Sequence, residues 1–114
     1  MITVYGIKNC DTVKKARRWL DEHDVSYQFH DFRSDGLDEK LLRKWLTSVN
    51  WEVLLNKRGT TWRKLPEQDK NDINETTAIN IMLQHPAIIK RPVLSTSSAI
   101  HVGFKADEYQ QLLG

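Results

Sequence analysis

The spacing of apolar positions changes period several times along this chain, and each change marks an element. Residues 2–5, Ile2-Thr3-Val4-Tyr5, form the β-branched and aromatic run of a short strand. Over residues 11–23, Val13, Ala16 and Leu20 recur at helical spacing on one face, which predicts a helix. Residues 26–32 alternate apolar and polar, the pattern of a strand with one buried side. Strand, helix and strand joined by short links make a βαβ unit, with parallel pairing and a right-handed crossover.

The middle of the chain takes up the helical period. Gly36 is placed to cap a helix with Glu39 at its third position and Leu41, Leu42, Trp45, Leu46 and Val49 as its inner stripe. Residues 51–56 and 60–65 read as short helices separated by Gly59, and Pro66 with the polar run to Asp72 breaks the region. From Asn74, a cap, the positions Ala78, Ile79, Met82 and Leu83 form another amphipathic stripe that stops before Pro86. Val93-Leu94 and Ile100 with Val102 then flank a serine- and threonine-rich turn, which predicts an antiparallel hairpin, and residues 105–113 close the chain as a helix. The order is βαβ, a helical insertion at about 36–86, then ββα. This is the layout of an α/β thioredoxin-like fold with a four-stranded mixed sheet, interrupted by an inserted helical subdomain.

Composition narrows the class. A length of 114 residues supports one domain with one core, here spanning 1–114. Hydrophobic content of 39% and charged content of 28% are those of a soluble globule, and Trp19, Trp45, Trp51 and Trp62 supply large surfaces for burial. No stretch has the length of a membrane span, and the first residues lack an apolar signal region. A formal charge of +2 is too small to announce a nucleic-acid partner. His23, His30, His85 and His101 stand apart without ligand spacing, so no metal is expected, and the five glycines form no phosphate loop.

Cys10 is the only cysteine, which rules out an internal disulfide and points to a reducing cytoplasm. It stands where the first strand hands over to a helix. A helix N-terminus offers unpaired N–H groups and a positive dipole end that favour a thiolate. On position alone, a reactive thiol and a buried structural thiol are both open. Arg91-Pro92 precedes the hairpin, and in a thioredoxin-like layout that loop lies against the cysteine. Pro92 is then a candidate cis proline, and a trans proline at a strand start is the plainer reading. Arg91 would direct a fixed charge and a planar fork of donors at the sulfur or at an anionic substrate. Lys8 and Lys14 flank the cysteine with the same sign, and Asp11 opposes them. Thr12 is placed to donate to the sulfur or to cap the helix. Val13 occupies the second position of what would be a Cys-x-x-Cys pair. A disulfide formed at Cys10 must therefore be released by an outside thiol, and glutathione, whose carboxylates suit the positive surroundings, is the expected one.

The chain resembles the arsenate-reductase (ArsC-type) and Spx-type family from end to end. The resemblance is carried by Tyr5-Gly6-Ile7-Lys8-Asn9-Cys10-Asp11-Thr12-Val13-Lys14-Lys15-Ala16, Leu54-Leu55-Asn56-Lys57-Arg58-Gly59, Met82-Leu83-Gln84-His85-Pro86, Lys90-Arg91-Pro92-Val93 and Val102-Gly103-Phe104-Lys105. The Gly-Ile-Lys-x-Cys-Asp-Thr text is similar to the YffB-like subgroup, regarded as glutathione-dependent thiol reductases. The resemblance implies a catalytic cysteine at Cys10 and a catalytic-pocket arginine at Arg91, with glutathione as co-substrate and no tightly bound cofactor. Lys8, Thr12, Lys14, Arg58 and Pro92 are the accompanying candidates for substrate binding. Arsenate reductases of this type use two further arginines. This chain has Asn56 at the first of these positions, with Arg58 two residues on, and Val102-Gly103-Phe104 at the second. That weakens an arsenate reading. Spx-type regulators bind RNA polymerase, and many carry a Cys-x-x-Cys switch that Val13 removes here.

Overall fold

A computed structural model describes residues 2–113. β1 (Ile2–Gly6) runs through the middle of a four-stranded sheet of order β2-β1-β3-β4. It pairs in parallel with β2 (Tyr27–Asp31), and antiparallel with β3 (Val93–Ser95), which pairs antiparallel with β4 (Ile100–Val102). The register sets Val4 beside Phe29 on one side and Leu94 on the other. Because side chains alternate across a strand, these three face the same way. They pack with Ala16, Trp19 and Leu20 of α1 (Asp11–Glu22) and with Tyr109 of α7 (Ala106–Leu113). α1 turns exactly the stripe read from its spacing, Val13, Ala16 and Leu20, inward, and adds Trp19.

Tyr109 closes this core edge-on. Its ring lies 5.6 Å from that of Trp19 at 90° and 4.7 Å from that of Phe104 at 89°, the T-shaped geometry that aromatic quadrupoles favour. Its hydroxyl is buried with no hydrogen-bond partner, and burial pushes that phenol well above its ordinary pKa.

By internal contacts the chain divides into two compact units. One comprises the residues up to Gly36 together with those from Arg91 on, and the other is Leu37–Lys90. The second unit is helical: α2 (Glu39–Leu46), α3 (Trp51–Leu54), α4 (Thr60–Lys64), α5 (Glu67–Lys70) and α6 (Glu75–Gln84), then a 3₁₀ turn over Pro86–Ile88. α2 and α3 pack on α6, and Leu42, Trp45, Leu54, Ala78, Ile79 and Met82 are buried. An antiparallel bridge between Leu55 and Ile89 joins the chain just before it leaves the unit to the end of α3.

Local chemistry explains the element starts. Asn74 caps α6 through a reciprocal box, accepting the Thr77 N–H at 3.0 Å while its own N–H donates to Thr77 Oγ1 at 2.8 Å. α2 starts differently from the expectation at Gly36: its cap is Asp38, whose carboxylate accepts the Leu41 N–H at 2.8 Å, so Glu39 is the first helical residue. A glycine offers no side-chain acceptor, and Gly36 serves instead as a left-handed turn residue at φ 91°. The polar stretch after Pro66, expected to be irregular, holds the single turn of α5. Pro66 stands just before that turn, where a missing N–H costs the helix nothing.

Candidate active site

The site is built by the crossing from β1 to α1. Gly6 lies against the helix so closely that a Cβ there would fall 2.7 Å from Val13 Cγ2, so only glycine lets strand and helix approach this far. The Phe32 N–H donates to the Gly6 carbonyl at 2.8 Å and ties the strand end to the chain leaving β2. Ile7 is buried, Lys8 and Asn9 are exposed, and Cys10 follows, partly exposed, as the N-cap residue of α1 with extended backbone angles.

No side chain caps α1. The Val13 and Thr12 N–H groups and the Arg91 guanidinium nonetheless lie near enough to act on the Cys10 thiol. Partial burial alone would push the thiol up. The Val13 N–H, the hydrogen bond and charge of Arg91, and the Thr12 N–H outweigh it and hold the thiol below its ordinary value. A lowered thiol holds a larger thiolate fraction at any given pH than a free one, and its partial exposure leaves the sulfur accessible.

The other sequence candidates fall in several places. Thr12 is the second residue of α1 and acts on the thiol through its backbone N–H; the N-cap position is held by Cys10 rather than by Thr12. Pro92 is buried, its bond to Arg91 is cis, and its carbonyl accepts the Gly103 N–H at 2.8 Å. Gly103 sits at φ 87°, a conformation glycine adopts readily. Lys14 is exposed one turn into α1, its N–H donating to the Cys10 carbonyl at 3.0 Å. Lys8 is exposed, and its charge acts on Asp31. Arg58 belongs to the helical unit, where its N–H donates to Asn56 Oδ1 at 3.1 Å and its carbonyl accepts from the Arg63 guanidinium at 3.1 Å. Of the candidate cations, Arg91 is the one that acts on the Cys10 thiol.

Sequence reasoning missed Asp31. It is the buried polar or charged side chain among the described residues, 5% exposed. Its Oδ2 accepts the Lys8 N–H at 3.1 Å, and its Oδ1 accepts the Arg33 N–H at 2.7 Å and the Ser34 N–H at 3.3 Å. Burial would push this carboxyl up; the three N–H donors and the Lys8 charge outweigh it and hold it below the usual range. The available signal was its phase. Asp31 continues the inward stripe of Tyr27 and Phe29, so the alternation puts a carboxylate where an apolar residue is expected.

Among the described residues no three of His, Cys, Asp and Glu gather as a metal site. No helix is long and apolar enough to cross a membrane.

The strand order, the parallel β1–β2 pair and the helix that follows the first strand define a thioredoxin-like fold, with the free cysteine Cys10 where that helix opens. The chain belongs to the ArsC family, which it matches over residues 5–112. An uncharacterized protein of Haemophilus influenzae is 51% identical over 110 residues, 96% of each chain. The solved structure of the YFFB protein superposes with a TM-score of 0.96 at 50% identity, covering 100% of both chains. The global transcriptional regulator Spx of Streptococcus mutans is 29% identical over 115 residues, 99% of this chain and 83% of that protein.

Proposed function

We propose that this chain is a cytoplasmic thiol reductase that works through Cys10 alone and is turned over by glutathione. The carrying observation is the partly exposed Cys10 at the N-cap of α1, its thiol lowered by Arg91 and by the Val13 and Thr12 N–H groups. In the first half-reaction the Cys10 thiolate attacks one sulfur of a substrate disulfide, forming a mixed disulfide and expelling the other sulfur as a thiolate. In the second, glutathione thiolate attacks that mixed disulfide, Cys10 leaves as thiolate, and the substrate sulfur carries the glutathionyl group. A further glutathione reduces this adduct to thiol and yields oxidised glutathione. The chain holds no second cysteine that could do the resolving. Arg91 stabilises the departing Cys10 thiolate and offers its fork to a carboxylate of the peptide. Lys8 and Lys14 add positive charge on the approach; Thr12 contributes through its backbone, and Pro92 orients Arg91.

The test is mass spectrometry after incubation with oxidised glutathione, followed by a glutathione-coupled assay with a small disulfide. One glutathionyl group on Cys10 and turnover lost in Cys10→Ser are expected. Absence of the adduct overturns the reading.

The Spx relatives favour a second reading, a regulator of transcription that binds RNA polymerase. Retention on immobilised polymerase, unaffected by Cys10→Ser and without disulfide turnover, would replace the first reading with this one.

A further inference from the structure

We infer that Asp31 is a positioning residue for the nucleophile, holding the loop that presents Cys10 through the Lys8 N–H; the role rests on the reading of Cys10 as the reacting group. The two carboxylate oxygens do different work. Oδ1 takes the Arg33 and Ser34 N–H groups and so shapes the turn leaving β2. Oδ2 reaches across 23 residues of sequence to the Lys8 N–H. Only Asn9 separates that anchored residue from Cys10.

The turn around Asp31 is itself fixed. Its N–H donates to Asp35 Oδ2 at 2.9 Å, the Asp35 N–H donates to its carbonyl at 2.8 Å, and the register sets it opposite Gly6. The loop is therefore pinned at Gly6 by the Phe32 N–H, at Lys8 by the carboxylate, and beyond Cys10 by α1. The direction from which the chain enters α1 at Cys10, and so the place of the sulfur relative to the Thr12 and Val13 N–H groups, is set by that path. A local turn would need Oδ1 alone, and burying a charge for it would be costly. The second oxygen, spent on the cysteine loop, gives the burial its reason.

Asp31→Asn separates the two jobs. An asparagine keeps Oδ1 for Arg33 and Ser34 but turns its NH₂ toward the Lys8 N–H, donor against donor. The alkylation rate of Cys10 is measured against pH, together with circular dichroism to confirm the fold. A rise in the midpoint is expected, with the rate below the midpoint falling about three- to tenfold, as half to one unit of pKa gives. Asp35→Ala, which removes one of the bonds that fix the Asp31 turn but leaves the Lys8 link in place, should raise the midpoint less than Asp31→Asn does, and an equal or larger rise overturns the proposal.

Sign discriminates the alternatives. Removing a negative charge near a thiolate would by itself lower the midpoint, and a purely structural Asp31 would leave it unchanged. Either result in a folded Asp31→Asn overturns the proposal. Should Asp31→Asn not fold, Lys8→Pro removes the same N–H from the other partner, and an unshifted midpoint there overturns it equally. Alkylation needs only the thiol. A missing glutathione adduct with the upward shift present would therefore sink the glutathione reading and leave Asp31 in its role.

Discussion

At Cys10 the charge of one residue and the backbone of its neighbours act on the same atom. Helix N-terminal donors can be read from a sequence, because any residue opening a helix meets them. The guanidinium cannot, since 81 positions separate Arg91 from Cys10 and only the sheet brings them together. The layout reading supplied that step by placing the loop before the hairpin beside the first helix. Arg91→Gln removes a hydrogen bond and a charge that both lower the thiol, and leaves the two N–H donors. Its alkylation profile should shift toward the free value of about 8.5, with the rate at neutral pH falling roughly tenfold. An unchanged profile would assign the thiolate to the helix end alone. Lysines beside the cysteine were harder to read, because a charge near in sequence has a choice of partners. Lys8 acts on Asp31, a pairing that no local pattern contains. Tyr109 offers a second residue-scale test. Its hydroxyl is buried without a partner, so Tyr109→Phe removes an unmet polar group while keeping the ring contacts. A gain of about 1 kcal/mol in unfolding free energy is expected, read by urea denaturation, and a loss would mean that the hydroxyl has a partner in solution.

At the scale of elements, the contact that matters is β1 against α1. Gly6→Ala would place a methyl 2.7 Å from a methyl of Val13, a fully buried, β-branched side chain with little freedom to turn. The helix start must shift, and with it the donors that meet the sulfur. The expected cost is about 1–3 kcal/mol, as for other overpacked contacts. Cys10 alkylation should slow in the same variant, whereas Leu20→Ala, further along the helix, should cost about 2–5 kcal/mol and leave the thiol profile alone. A destabilised Gly6→Ala with wild-type alkylation would separate the packing from the site. Elements with strong periodicity were legible for the reason that makes them stable: one face of β1, α1 and β2 is buried against the others. The mistakes fell where the outcome rests on a single hydrogen bond. Asp38, two residues beyond Gly36, supplies the carboxylate that caps α2. The single turn of α5 holds no buried residue, so nothing in the hydropathy pattern marks it.

For the molecule as a whole, two acids held below their ordinary values give stability a characteristic dependence on pH. An acid lowered on folding contributes nothing below its folded pKa, where both states are protonated. Its contribution grows as pH rises between the folded and unfolded values and is full above the unfolded one. Asp31 confines this effect to the acid side, below the ordinary carboxylate value of about 3.9. Cys10 places its own at higher pH, complete above the free thiol value of about 8.5. The Asp31 window closes near the ordinary carboxylate value, so any change above mildly acidic pH reports Cys10 with Asp31 constant. Urea denaturation of the wild type and of Cys10→Ser over a pH series should show the wild type gaining on the variant as pH rises toward 8.5, then running parallel to it. The gain comes from the same hydrogen bonds and charge that favour the thiolate, so its size measures how strongly the fold holds the reactive form. Curves that stay parallel from mildly acidic to alkaline pH would mean that the folded protein does not lower this thiol, and the chemistry proposed for it would lose its physical basis.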